Sequence, residues 1–77
     1  MRIIDTIEHP IMRISIFQMN QKYIVKFELG VLEQSYKFSE LDIINLEILK
    51  ADVTEKIIPN VLLRFEEMQK DLNNCLS

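Results

Sequence analysis

The alternation of apolar and polar residues between Met12 and Phe38 is the feature that most constrains the fold. A two-residue turn at Asn20-Gln21 pairs the residues before it with those after it, out to Met12 opposite Leu29. Directly opposed residues share a face, so this register can be tested for consistency. This register is consistent, because it sorts the side chains onto one apolar and one polar face. A slip of one residue would move every side chain to the other face. Apart from Gln18, one face is wholly apolar and consists of Met12, Ile14, Ile16, Tyr23, Val25, Phe27 and Leu29.

The same pattern predicts three strands, at about 11–19, 22–29 and 31–38, and leaves a fourth open. Gly30-Val31 forms the second turn, although Val suits a tight turn poorly and the loop could be one residue longer. In the third strand Leu32, Tyr36 and Phe38 rejoin the apolar face. Residues 2–7 alternate weakly and could add an edge strand, which Pro10 would separate from the hairpin.

A helix at about 53–75 is predicted to cover the apolar face. Asp52 with Glu55 three residues on is a good N-terminal cap. At 100° per residue, one apolar stripe follows within a narrow arc. Pro59 lies on the opposite side and either bends the helix or breaks it at Ile58. The stripe comprises Ile57, Ile58, Val61, Leu62, Phe65, Met68, Leu72 and Cys75.

The segment 41–49 is ambiguous. Ser39 with Asp42 resembles a helix start. The residues that follow fit either a helical stripe or a strand, and we favour a short helix. The fold class is therefore α+β: a three- or four-stranded antiparallel β-meander with one face covered by a C-terminal amphipathic helix. Ile58, Val61 and Phe65 are expected to contact the sheet.

Size and composition indicate a single domain over residues 1–77 that needs a second hydrophobic surface. Apolar residues make up 48% of the chain, which has one Gly and one Cys. This is too hydrophobic for disorder, and one Cys excludes a disulfide within the chain. A domain of 77 residues is small for independent folding. Because small domains often gain stability by oligomerisation, we expect a homodimer.

The charge and hydropathy patterns argue against a secreted protein, a membrane-spanning protein and a globally basic nucleic-acid binder. Asp5 and Glu8 interrupt any signal-peptide core, and no apolar run approaches the length of a membrane span. With a single thiol, a cytoplasmic location without membrane contact is the simplest expectation. The net charge is −3. Since the surplus of acids lies in the second half, a globally basic nucleic-acid binder is excluded, but a locally basic face is not.

No residue pattern predicts catalysis, a metal site or a cofactor. His9 precedes Pro10 in a predicted turn, without an evident orienting acid or nucleophile. Cys75 lies near a helix C-terminus, where the dipole disfavours a thiolate. Three acids, Glu66, Glu67 and Asp71, are expected to lie on a solvated face of the helix. They would bind a metal ion only if they converged in a cleft. We therefore expect no enzyme.

The uncovered face of the sheet is the strongest candidate for a binding surface. It carries an apolar patch of Phe17, Ile24 and Met19, and neighbouring apolar residues on a surface often mark an interface. Leu63 projects away from the helical stripe, and either Ile43 or Leu46 also lacks a partner. The predicted function is a small self-associating interaction module with Phe17, Ile24, Met19 and Leu63 as candidate interface residues.

The alternative is a surface for single-stranded nucleic acid. The same face carries basic residues in surplus over Glu28 and Glu33, and Phe17 could stack a base. A sheet followed by a helix is similar to the element order of Whirly- and PUR-type single-strand binders, although no motif of theirs matches here. The candidate contacts are Arg13, Lys22, Lys26, Lys37 and Phe17.

Overall fold

The computed structural model describes residues 2–76 and confirms the α+β class. Four strands form one antiparallel sheet in the order β1-β2-β3-β4. A long helical segment covers one face of this sheet. The strands are β1 (Arg2–Ile7), β2 (Arg13–Met19), β3 (Lys22–Leu29) and β4 (Leu32–Ser39).

The central hairpin has the predicted register. β2 and β3 pair from Met19 opposite Lys22 to Arg13 opposite Glu28. Met12 lies just before β2, so its expected pairing with Leu29 falls outside the strand. Asn20 and Gln21 have φ angles of 51° and 62°, as a type I′ hairpin turn requires.

The second turn has two residues, because Leu29 pairs with Leu32 across Gly30 and Val31. Gly30 has a φ of 61°, a conformation in which a Cβ would be strained. This glycine permits the tight connection despite the unfavourable Val31. The third strand therefore begins one residue later than expected and continues to Ser39.

Residues 2–7 form the edge strand that the sequence left open. β1 pairs with β2 through Ile3 opposite Phe17, Thr6 opposite Ser15 and Ile7 opposite Ile14. A bulge lies between Ile3 and Asp5. Pro10 lies in the connection of residues 8–12, as expected for a residue that cannot donate to a ladder.

The segment 41–49 contains no strand, and it is helical at its two ends rather than one continuous short helix. A single 3₁₀ turn at Glu40–Asp42 is capped by the Ser39 hydroxyl, which accepts from the Leu41 amide. An extended connection follows, and Asn45 then caps helix α1 (Leu46–Asp52) by accepting from the Ile48 amide at 2.9 Å.

The C-terminal helix starts earlier than predicted. After α1 the chain continues through a π-helical turn, Val53–Ile57, into α2 (Ile58–Leu76). Asp52 is therefore not an N-cap, and its side chain makes no capping hydrogen bond. Pro59 does not break the helix. A proline ring clashes with the carbonyl four residues earlier in an α-helix, and the wider π turn lies just before it.

The core lies between the helical segment and the covered face of the sheet. Phe65, Val61 and Ile58 pack with Ile14, Val25 and Phe27, and Tyr36 packs against this cluster, as predicted. From β4, the side-chain Nε2 of Gln34 donates to the backbone carbonyl of Val61 at 3.0 Å. Ile43 and Leu46 also pack on the core, so the expectation that one of them lacks a partner is wrong.

Candidate interaction surface

The uncovered face of the sheet, here called the open face, brings together three of the four predicted interface residues. Phe17 and Ile24 are directly opposed on β2 and β3, and Met19 lies two residues after Phe17 on the same side. On β1, Ile3 is the partner of Phe17 and is largely exposed. The pairings therefore place Ile3, Phe17 and Ile24 in one apolar row across three strands.

Much of this apolar row is already covered by the chain itself. Ile24 is only 8% exposed although the helix lies on the other face. Its cross-strand neighbours are Phe17 and Lys37, and Phe17 is itself half-buried. The Lys26 ammonium lies 5.9 Å from the centroid of the Phe17 ring, within the range of a cation–π interaction. The open face thus offers less free apolar surface than its composition suggested.

The basic residues of the open face are partly neutralised within the sheet. Lys26 Nζ lies 3.1 Å from Glu33 Oε1, on the diagonal between the Lys26–Ser35 and Glu28–Glu33 pairs. Glu28 and Glu33 are directly opposed, which by itself is unfavourable for like charges. Lys26 compensates this pair and also covers the one aromatic ring of the patch. Arg13, Lys22 and Lys37 complete the basic set on the same face.

Leu63 does not belong to this surface. It is 60% exposed on α2, and α2 packs on the opposite face of the sheet. The four candidate interface residues therefore lie on two sides of the molecule, and no single flat contact includes all of them.

The most exposed apolar side chains lie at one end of the molecule in the segment between β4 and α1. Leu41 is 96% exposed and Ile44 is 84% exposed. The Glu40 backbone amide donates to the Gln21 backbone carbonyl at 3.0 Å, and the side-chain amide of Gln18 donates through Nε2 to the Glu40 carboxylate. The anchored backbone therefore presents both side chains to solvent. Sequence reasoning missed them because it treated 41–49 as one element, whereas the caps at Ser39 and Asn45 divide it.

One ion pair fastens the edge strand to the helix. Lys50 Nζ lies 3.0 Å from Asp5 Oδ2, and the Thr6 amide donates to Asp5 Oδ1 at 2.8 Å. The hydrogen bond from Lys50, followed by that from Thr6, lowers the pKa of Asp5 below its usual value. The hydrogen bond to Asp5 raises the pKa of Lys50. The pair therefore links β1 to α1 across the covered face.

His9 and Cys75, the candidates considered for catalysis, lie outside any cluster that could hold a metal ion among residues 2–76. His9 Nδ1 accepts from the Ile11 amide at 3.2 Å within the connection of residues 8–12. Cys75 is exposed near the C-terminal end of α2. Within residues 2–76, no group of three or more His, Cys, Asp or Glu side chains is arranged to hold a metal ion. The helices among these residues include none with the length and hydropathy to span a membrane.

Comparisons with protein-family models, with curated protein sequences and with solved structures found no match.

Proposed function

We propose that this chain is a small interaction module that self-associates and has no catalytic activity of its own. The observation that carries the proposal is the size of its surface. The chain exposes 5547 Å², whereas a compact monomer of 9.2 kDa is expected to expose about 4,900 Å². The excess of about 600 Å² approaches the roughly 800 Å² that each partner of a stable complex buries.

The dimensions of the molecule support the same proposal. Its radius of gyration is 13.5 Å, compared with about 11.5 Å for a compact domain of this length. The most exposed of the large apolar side chains are Leu41 and Ile44, which lie three residues apart between β4 and α1. Neighbouring exposed apolar side chains are typical of interaction sites. A cytoplasmic location remains part of the proposal, because the chain cannot form an internal disulfide.

The open face supports protein contact better than nucleic-acid binding. A base can stack only on a free aromatic ring, and the Lys26 ammonium already lies over Phe17. Lys26 is also paired with Glu33, so binding a phosphate there would require breaking an ion pair. A basic rim around a small apolar patch remains suited to an acidic protein partner.

The mass in solution tests the proposal. We expect sedimentation velocity at tens of micromolar to give twice the 9.2 kDa of one chain, with dissociation on dilution. A monomer throughout this range would contradict self-association. A screen of hydrolytic and transfer substrates tests the proposed lack of catalytic activity, and we expect it to find no turnover. Turnover that is abolished by His9→Ala would contradict the proposal.

A further inference from the structure

The end of α2 projects beyond the sheet. The helical segment Leu46–Leu76 is about 46 Å long at 1.5 Å per residue, close to the 45 Å longest dimension of the molecule. The eight-residue strands β3 and β4 measure only about 27 Å. A helix of this length cannot be covered along its whole extent by such a sheet.

The exposure of one apolar stripe locates the overhang at the C-terminal end of α2. Phe65 is 2% exposed, whereas Leu76 is 78% exposed. These residues are eleven positions apart and therefore face the same way to within about 20°. Between them, Met68 and Leu72 are half-buried. The stripe has therefore not turned toward solvent at Leu76. Leu76 is exposed because the sheet has ended beneath this part of the helix.

Two grooves with mainly apolar linings flank the helix near the end of the sheet, and Glu66, Gln69, Lys70 and Asp71 complete these linings. On one side Leu62 and Phe65 face Ile11 and Leu29 across a groove. On the other side Met68, Leu72 and Cys75 face Leu32. Ile11 and Val31, which lie at this end of the sheet, are largely exposed. The overhang surface is defined here by the apolar residues at this end of the helix and of the sheet, which are Ile11, Val31, Leu32, Met68, Leu72 and Leu76.

We propose that a second copy of this chain occupies the overhang surface, with the projecting ends of the two α2 helices packed antiparallel about a twofold axis. This inference rests on the self-association proposed above and assigns its location. A twofold contact uses the same patch on both subunits. Here the patch contains both a projecting apolar stripe and the grooves beside it, so each copy can supply what the other lacks. The surface excess of about 600 Å² per chain is close to one half of a standard interface.

This arrangement leaves both open faces free. The open face lies on the side of the sheet opposite α2, so a dimer through the overhang surface does not cover Phe17 or Ile24. The dimer would then present two copies of the open face to partners. Contact through the open face, as the sequence suggested, is the competing arrangement.

Paired glutamate variants separate these arrangements. The double variant Leu72→Glu, Leu76→Glu places charges on the overhang stripe, and we expect its sedimentation mass to fall twofold to that of one chain. Both positions lie beyond the last fully buried helical residue, Phe65, so the fold should persist, as circular dichroism can check. The matched controls Phe17→Glu, on the open face, and Leu63→Glu, on the outer side of α2, should remain dimeric.

A distance measurement on Cys75 provides a second test that needs no substitution. Cys75 is the single cysteine of the chain and is exposed on the projecting helix. In the antiparallel arrangement, nitroxide labels on the two copies should lie within about 20 Å, since few helical residues separate each label from the axis. In an open-face dimer the two helices lie outside two stacked sheets, about 30 Å apart. The mass of the labelled protein verifies that labelling leaves the dimer intact.

The outcomes distinguish this inference from the proposed function. Loss of the dimer only in the Leu72→Glu, Leu76→Glu variant, with a short label distance, supports the overhang dimer. A wild-type dimer that survives this variant, with labels about 30 Å apart or more, overturns the overhang dimer but leaves self-association standing. A wild-type monomer at tens of micromolar overturns both.

Discussion

Val53 and Ile58 lie one π-helical turn apart. The amide of Ile58 donates to the carbonyl oxygen of Val53, five residues earlier, and both side chains are buried in the core. In a regular α-helix, residues five apart differ by about 140° in direction, so these two side chains could not both face the sheet. The π turn aligns them.

This turn joins two apolar stripes that would otherwise point in different directions. Leu49 and Val53 belong to the first stripe, and Ile58, Val61 and Phe65 belong to the second; all five are buried. A π turn takes up one additional residue and so rotates one stripe onto the other. The whole helical segment then covers a single face of the sheet.

Removing one residue from the π turn should preserve the core. In a variant with Glu55 deleted and Pro59→Ala, Val53 and Ile58 become four residues apart, which is the spacing of one α-helical face. Pro59→Ala supplies the missing amide and removes the ring clash. We expect urea unfolding to give a free energy within about 1 kcal/mol of the Pro59→Ala variant, because only exposed backbone is lost.

The matched control deletes Asn60 in the same Pro59→Ala background. Asn60 is also exposed, but its loss brings Ile58 and Val61 two residues apart, about 200° in direction. At least one large aliphatic side chain must then leave the core, which costs about 2–5 kcal/mol. Equal stability of the two deletion variants would show that the π turn does not set the register of the stripes.

The sequence allowed the hairpin to be predicted but not the π turn. An alternation of period two constrains both strands at once, because one shift would expose seven apolar side chains of residues 12–29. The capping pattern of Asp52 with Glu55 suggested a helix start at Asp52, and a fixed rotation of 100° per residue does not place Val53 in line with Ile58. The signal that could have revealed the longer helix is the five-residue spacing from Val53 to Ile58, immediately before Pro59.

The candidate surface was predictable only in part. The register placed Phe17, Ile24 and Met19 together because cross-strand pairing follows from the hairpin alone. Ile3 was missed, since a weakly alternating edge strand depends on its partner for its conformation. The overhang surface could not be read from the sequence either. Its exposure depends on where the sheet ends beneath the helix, which is a property of the packed structure.

Phe65→Ala should destabilise the fold by about 3–5 kcal/mol, because it leaves a cavity where a fully buried ring packed on the sheet. This is a large share of the stability expected of a small domain. Urea unfolding followed by circular dichroism measures the loss. Leu63→Ala is the control on the same helix, and its exposed side chain should contribute less than about 0.5 kcal/mol. An unchanged urea midpoint for Phe65→Ala would contradict the packing of α2 on the sheet.

The Asp5–Lys50 pair should give stability a dependence on acidic pH. The folded state lowers the pKa of Asp5, so its contribution is present above about pH 4, the usual pKa of an Asp. The contribution is lost as the pH falls through the lower, folded-state pKa. We expect the urea midpoint of the wild type to fall more steeply below pH 4 than that of Asp5→Asn.

The contribution of the Asp5–Lys50 pair to stability should also be lost at high pH, when Lys50 is deprotonated. Asp5 raises the pKa of Lys50, so this contribution is present below about pH 10.4 and is lost as the pH rises through the folded-state pKa. Asp52→Asn serves as control, because the partner of Asp52, Lys56, lies on the same helical segment and such exposed pairs contribute little. Parallel pH profiles for wild type and Asp5→Asn would show that the pair does not fasten β1 to α1.

Single-stranded nucleic acid should not bind specifically to the open face. Lys26 pairs with Glu33 and lies over Phe17, so a nucleotide would have to displace both contacts. A labelled oligonucleotide titrated at low salt, followed by fluorescence anisotropy, should show equal responses to Lys26→Glu and to Lys56→Glu, which lies on the helical segment away from this face. Binding that weakens steeply with salt and is abolished by Lys26→Glu alone would favour the nucleic-acid function instead. Phe17→Ala would then test stacking, because loss of a base platform should weaken binding by about 1–3 kcal/mol per base.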